Sequence, residues 1–311
     1  KYPPEKVFES LEVSEEDWPT LKERFGKNKD INYLQQAILN TDIINTVSPT
    51  YAKEILTEEF GEGMEETLEK RKDNLHGILN GIDRDRFNPE TDTQIDVNFS
   101  LKEIDNKYED KIHLQKEVGL PEDKDVPVIS MVSRLTDQKG LDLILEIIDE
   151  LASKDVQMIF LGTGDESLEI KLKEASEKHP TKIAARIEFD ATLAQKIYAS
   201  SDLFFMPSRF EPCGLGQMIS MRYGTVPIVR ATGGLKDSVQ NYNPQSGTGT
   251  GFVFQNYKSD ELLAVTKKSL KIYKDKESWK KLVENCMNQD FSWAQSAKKY
   301  IELYEKTLTS K

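Results

Sequence analysis

Residues 207–235, PSRFEPCGLGQMISMRYGTVPIVRATGGL, decide how the rest of the chain is read. The stretch begins at the end of an apolar strand, LFFMP (203–207), and offers one acidic side chain, Glu211, before a glycine-containing turn that opens a helix. It returns through a second apolar strand, TVPIV (225–229), to a second glycine turn, Thr232-Gly233-Gly234, opening another helix. Two strand-to-helix turns in close succession belong to an open α/β sheet, where ligands sit at the carboxyl ends of the strands. Helix N-termini favour anions. The stretch therefore predicts a site for a phosphate-containing ligand with a carboxylate beside it.

Working outward, apolar runs of strand length alternate with amphipathic helices. VPVISMVS (126–133), VQMIFLGTG (156–164) and ARIEF (185–189) lie on the amino side, GFVF (251–254) on the carboxyl side. Helices are predicted over 107–118, closed by Gly119, and over 167–178 and 193–200. Another carries Leu141, Ile144, Leu145, Ile148 and Leu151 on one face. Strands spaced by helices predict a parallel sheet covered on both faces, a complete Rossmann-like domain over residues 82–289.

Residues 1–81 form a separate segment. It opens with polar sequence containing helical stretches, VFESL and LKERF, and a short helix at 31–40. A buried strand at 42–47 leads to Ser48-Pro49, a helix start with Ser as N-cap. That helix, TYAKEILTEEF, is expected to run to Gly61, followed by a helix at 64–74 and a short apolar strand within 76–83. Residues 84–98 read as a linker or surface loop. Within residues 290–311, Trp293, Ala297, Tyr300 and Tyr304 recur at helical spacing. This helix packs on its own domain or crosses to another.

The 311 residues are 37% hydrophobic and carry a net charge of −12. An acidic surface disfavours a large duplex nucleic-acid footprint, which needs a basic face, yet a few basic residues focused in one cleft still hold an anion. The two cysteines, Cys213 and Cys286, give no disulfide framework or zinc spacing and fit a reducing, cytoplasmic compartment. No apolar run approaches the ~20 residues of a membrane span. The aspartate pairs at Asp83/Asp85 and Asp123/Asp125, with Asp92, do not read as metal sites, and the histidines do not cluster.

The turn after the first strand of the sheet domain holds Arg134 and Lys139. Arg offers a planar fork for two phosphate oxygens and Lys a point charge; the alternative is two solvated loop cations. Gly162 and Gly164 follow the next strand without a third glycine at dinucleotide spacing. They serve a tight turn or the approach of backbone to a base or ribose. Glu211 accepts hydrogen bonds from sugar hydroxyls or caps the following helix. Thr232-Gly233-Gly234 is a simple tight turn or lets backbone approach an anion.

Several runs together resemble bacterial glycogen synthase and plant starch synthase. They are NTVSPTYAKEILTEEFGEGM, HGILNGIDRDRFNPETD, SRLTDQKGLDLI, LGTGD, the 207–239 stretch, GTGFVF and DFSW. The resemblance implies a GT-B fold, two Rossmann-like domains facing across a cleft, with the last helix crossing back to the N-terminal domain. It implies transfer of glucose from ADP-glucose to the non-reducing end of an α-1,4-glucan with retention, without metal or cofactor. By resemblance, Arg134 and Lys139 hold the diphosphate and Glu211 contacts the donor glucose. Thr232, Gly233 and Gly234 supply backbone donors, and Asn80 lies in the interdomain cleft. Cys213, Gly214 and Leu215 line the nucleotide-sugar site with Gly162 and Gly164, and Phe189 stands where the family has an aromatic residue near adenine. Ile219 takes the place of a second glutamate found in the broader retaining group.

The family's lysine-glycine-glycine turn and its HN-type histidine do not occur here. Residues 1–81 resemble only the end of the N-terminal domain, and 31–40 depart from the family's helix. The chain, which starts with Lys1, is expected to be a fragment or a natural truncation, weak or inactive without a separate or upstream N-terminal domain. The alternatives are a non-catalytic nucleotide-sugar or glucan-binding remnant, or a GT-B glucosyltransferase using UDP-glucose.

Overall fold

Two parallel sheets organise the protein. In the computed structural model, which describes residues 2–12 and 30–309, β1 (Ile44–Thr46) pairs with β2 (Leu75–Gly77). The larger sheet comprises β3 (Val128–Val132), β4 (Gln157–Leu161), β5 (Ile183–Arg186), β6 (Leu203–Met206), β7 (Val226–Arg230) and β8 (Phe252–Phe254). Its order is β5-β4-β3-β6-β7-β8, and every pairing is parallel. The chain therefore extends the sheet one way through β5, then returns beside β3 and extends it the other way. The β3/β6 boundary is the topological switch point, where open α/β sheets leave a crevice.

Side-chain alternation explains why the runs are apolar throughout. Val128, Ile159 and Leu161 enter one core with Leu114, Leu193 and Ile197. Ile129, Met131, Met158 and Phe160 enter the other, with Ile144, Ile148 and Leu151 from the helix Leu141–Ala152. Period-two strands thus bury both faces against helices. The helix Asn106–Val118 ends at Gly119 in the left-handed region, φ 82°.

The structure moves several sequence expectations. LKERF lies outside the described residues. The buried strand expected at 42–47 shrinks to three residues, Ile44 and Thr46 half-buried and Asn45 exposed, because β1 pairs with β2 alone among the described residues. The helix from Pro49 stops at Glu54, short of Gly61. Beyond it the bonds tighten to Leu56 N–Lys53 O and Thr57 N–Glu54 O, and the Thr57 hydroxyl also donates to Glu54 O at 2.7 Å. Such local side-chain bonding competes with helix propagation. Residues 64–74 give a helix over Glu65–Glu69 and a 3-10 turn over Lys72–Asn74. Arg71 between them donates to the carbonyls of Ile38, Leu39, Thr41 and Asp42. β5 begins two residues earlier than ARIEF and ends at Arg186, so Glu188 and Phe189 rise off the sheet.

The final helix, Trp293–Thr309, runs over the amino-terminal segment. Ser296 donates to Leu79 O at 2.7 Å, and Asn45 donates to the Tyr300 hydroxyl at 3.3 Å. Gly81 must be a glycine here: a Cβ would sit 2.4 Å from Trp293 N.

Candidate active site

The loops after β3 and β6 face each other across the switch point and are bonded together. Arg209 N donates to Gln138 O at 2.8 Å, and the Gln138 amide donates to Phe210 O at 3.3 Å. Gly140, at φ 75°, approaches Pro207 so closely that a Cβ would lie 2.3 Å from its carbonyl oxygen. Only glycine meets both demands.

This pairing brings the sequence-predicted charged residues into one place. Lys139 Nζ lies 2.6 Å from Glu211 Oε2, and the Ser208 hydroxyl donates to the same oxygen at 3.0 Å. Glu211 is 6% exposed, so its carboxylate is desolvated and satisfied within the protein. It does not cap the following helix. Arg134 stands at the mouth, exposed, donating to Gln138 and to no carboxylate among the described residues.

A cavity of about 220 Å³ holds Arg134, Lys139, Ser208, Glu211, Gly214 and Leu215. A second, of about 340 Å³ and mostly apolar, adjoins it, sharing Val132, Ser133, Arg134 and Tyr198. Gly162 and Phe189 line this second cavity. Gly162 passes the end of β3 closely; a Cβ would fall 1.8 Å from Ser133 O. Phe189 is 91% exposed at the rim. The cavity that holds the Lys139–Glu211 pair and the apolar one share Arg134 on their common wall. That arrangement suits a ligand with an anionic centre and a flat apolar end.

Six of the predicted residues lie outside both cavities. Gly164 packs under Leu135, and its N–H goes to Glu169 Oε1 at 2.8 Å. Cys213 is buried; burial raises its thiol pKa, offset in part by the Asn80 backbone N–H facing it. Asn80 thus meets Cys213 at the segment boundary. The expected backbone donors at Thr232, Gly233 and Gly234 are all engaged internally. Thr232 N donates to Arg230 O at 2.9 Å and Gly234 N to Glu211 O at 3.0 Å. Gly233 N donates to the Glu54 carboxylate at 3.0 and 3.1 Å. A protein carboxylate occupies the seat that the sequence offers an anion.

Sequence reasoning missed Ser208, Tyr198, Arg86, Phe87 and Glu54. Ser208 was visible three residues before Glu211 at a strand end. Arg86 and Phe87 line the apolar cavity from the loop read as a linker. That loop is anchored: Arg222 donates to Phe87 O at 3.2 Å and to Asn88 Oδ1 at 2.8 Å, while buried Asp92 accepts from Gln195 and Tyr223, each at 2.5 Å.

Residues 1–70 match the family described as starch synthase catalytic domain. The chain is 53% identical over 290 residues to the glycogen synthase of Thermosipho melanesiensis, covering 93% of this chain and 60% of that protein. It is 51% identical over 279 residues to the glycogen synthase of Thermotoga maritima, covering 89% and 57%. Among solved structures, the catalytic domain of starch synthase IV from Arabidopsis thaliana, bound to ADP and acarbose, superposes with a TM-score of 0.84 at 37% identity, over 90% of this chain and 58% of that one. The chain spans about six tenths of the length of the curated relatives it matches. Residues 114–289, more than half of the chain, match the family described as glycosyl transferases group 1, and the protein belongs to that family.

Proposed function

We propose that this chain carries the donor side of a glycogen or starch synthase. The reaction is transfer of glucose from ADP-glucose to the non-reducing end of an α-1,4-glucan, with retention of configuration. The observation that carries the reading is the Lys139–Glu211 pair beside Arg134, in a cavity that opens onto an apolar one rimmed by Phe189. The names of the relatives support the reaction, and the ADP in the starch synthase IV structure supports the base.

The chemistry follows from charge. Departure of a diphosphate from an oxocarbenium-like centre concentrates negative charge on the leaving group, and preorganised cations stabilise it. An ammonium has three donors, so Lys139 can keep Glu211 and still bind a phosphate oxygen. Arg134 adds a planar fork. Glu211, held by Ser208 and Lys139, accepts from glucose hydroxyls. Phe189 stacks on adenine. ADP-glucose is a substrate, and the proposal assigns no metal or cofactor. Equilibrium dialysis with radiolabelled ADP-glucose tests the reading. Saturable binding displaced by ADP supports it; no saturable binding contradicts it.

A further inference from the structure

We infer that Glu54 is a positioning residue for Glu211, acting through the Thr232-Gly233-Gly234 turn; the inference rests on the donor-site reading above. Glu54 ends the helix Pro49–Glu54, and its carboxylate reaches the start of the helix Gly233–Ser238, 179 residues away in sequence. It accepts from Gly233 N and from the Thr232 hydroxyl, the latter at 3.1 and 3.3 Å. The contact is reciprocated: Thr50 donates to Asp237 through its backbone N–H at 2.8 Å and its hydroxyl at 2.6 Å. Each helix thus places a carboxylate at the other's N-terminus, where it is favoured.

The turn that Glu54 holds is stacked directly on the backbone of the sugar-side residues. A Cβ on Gly233 would lie 1.9 Å from Glu211 O, and one on Gly234 would lie 2.0 Å from Cys213 O. Gly234 N also donates to Glu211 O. The 232–234 turn cannot shift without moving the Glu211 backbone. Arg230, which feels the charge of Glu54, donates to Ser208 O at 2.8 Å and to Arg209 O, so the same cluster fixes the start of the Glu211 loop. The Glu211 carboxylate is therefore aimed from two sides, by Lys139 and Ser208 at its head and by Glu54 beneath its backbone. ADP meets Glu211 only through Lys139, whereas the glucose of ADP-glucose contacts its carboxylate directly.

The test is calorimetric titration of ADP and of ADP-glucose into the wild type and the variants Glu54→Ala, Glu54→Gln and Asp237→Ala, with a thermal melt of each. Glu54→Ala is expected to weaken ADP-glucose about tenfold, the scale of one hydrogen bond to a charged group, and to leave ADP within about twofold. Glu54→Gln keeps an oxygen for Gly233 N and is expected to rescue most of the loss. Asp237→Ala removes only the Thr50 half of the clasp and is expected to bind ADP-glucose as the wild type does. Should Glu54→Ala not fold, Glu54→Asp, one methylene short of the turn, is compared with Glu54→Gln instead. Wild-type ADP-glucose affinity in Glu54→Ala, or an equal loss in Asp237→Ala, overturns the inference while leaving the donor site standing. A wild-type chain that binds neither ligand overturns the donor site and the inference with it.

Discussion

Lys139 and Glu211, 72 residues apart in sequence, meet at 2.6 Å across the switch point of the sheet. Neither residue is aimed by its own loop alone. Lys139 ends a 3-10 turn after β3, Glu211 follows β6, and the two loops are bonded through Gln138. Because the pair is largely out of water, its members depend on each other more than an exposed pair would.

Lys139→Ala leaves the Glu211 carboxylate buried with Ser208 as its one donor among the described residues. Breaking a buried pair from one side costs about 3–5 kcal/mol; partial exposure of Lys139 puts this one toward or below the lower end. The expected result is a lower melting temperature together with ADP affinity weakened by about ten- to a hundredfold. A variant that melts and binds like the wild type would remove the pair from the account.

Arg134→Ala behaves differently. The side chain is exposed and, among the described residues, bonded only to Gln138, so stability should stay within about 0.5 kcal/mol. Loss of a charge-assisted contact to the diphosphate should weaken ADP about tenfold or more. Melting and calorimetry on the same sample separate the two effects.

Phe189→Ala tests the apolar cavity. A side chain 91% exposed contributes little to folding, so the melt should not move. Losing an aromatic–base stack of about 1–3 kcal/mol should weaken ADP by roughly five- to 150-fold. Inorganic pyrophosphate, which has no base, should bind both proteins equally.

Stability should depend on pH through Lys107. This residue is buried, over the Phe99 ring at 5.6 Å, and donates to Ala199 O and the Thr225 hydroxyl. Desolvation pulls its pKa down to about 7; Asp202 and Asp110 act against that shift and Lys111 adds to it. Between that value and the ordinary lysine range the unfolded chain binds more protons than the folded one. Stability therefore rises with pH across this window and falls as pH drops toward 7. Urea midpoints between pH 7 and pH 10 should climb, and Lys107→Met should flatten the climb. An equally steep climb in Lys107→Met would assign the dependence to other groups.

Much of this was legible because it is local. Continuous apolar runs such as QMIFL announce a strand buried on both faces, and Gly119 closes its helix at a conformation only glycine takes readily. Arg134, Lys139 and Glu211 could be singled out because strand ends in such sheets are where ligands bind, and the structure gathers them around one cavity. Two helices, Ser259–Lys274 and Lys276–Met287, went unread although Leu262, Val265, Leu270 and Leu282 mark their buried sides; their polar faces dilute the pattern. Long-range pairings were out of reach. Nothing near Glu54 says that it will meet Gly233, and the glycine turn by itself reads as a vacant anion seat. The loop at 84–98 looked like a linker because its hold on the sheet domain comes from Gln195, Arg222 and Tyr223, over a hundred residues away.

The central claim is that a sugar nucleotide with adenine as its base is seated on Arg134, Lys139 and Glu211. The most direct measurement is calorimetric titration of ADP-glucose into the wild type and into the Arg134→Ala/Lys139→Ala double variant, with UDP-glucose as the rival donor. The account predicts saturable binding of ADP-glucose to the wild type, markedly weaker binding of UDP-glucose, and loss of both in the double variant. Equal affinity for the two donors, or undiminished ADP-glucose binding in the double variant, would contradict it.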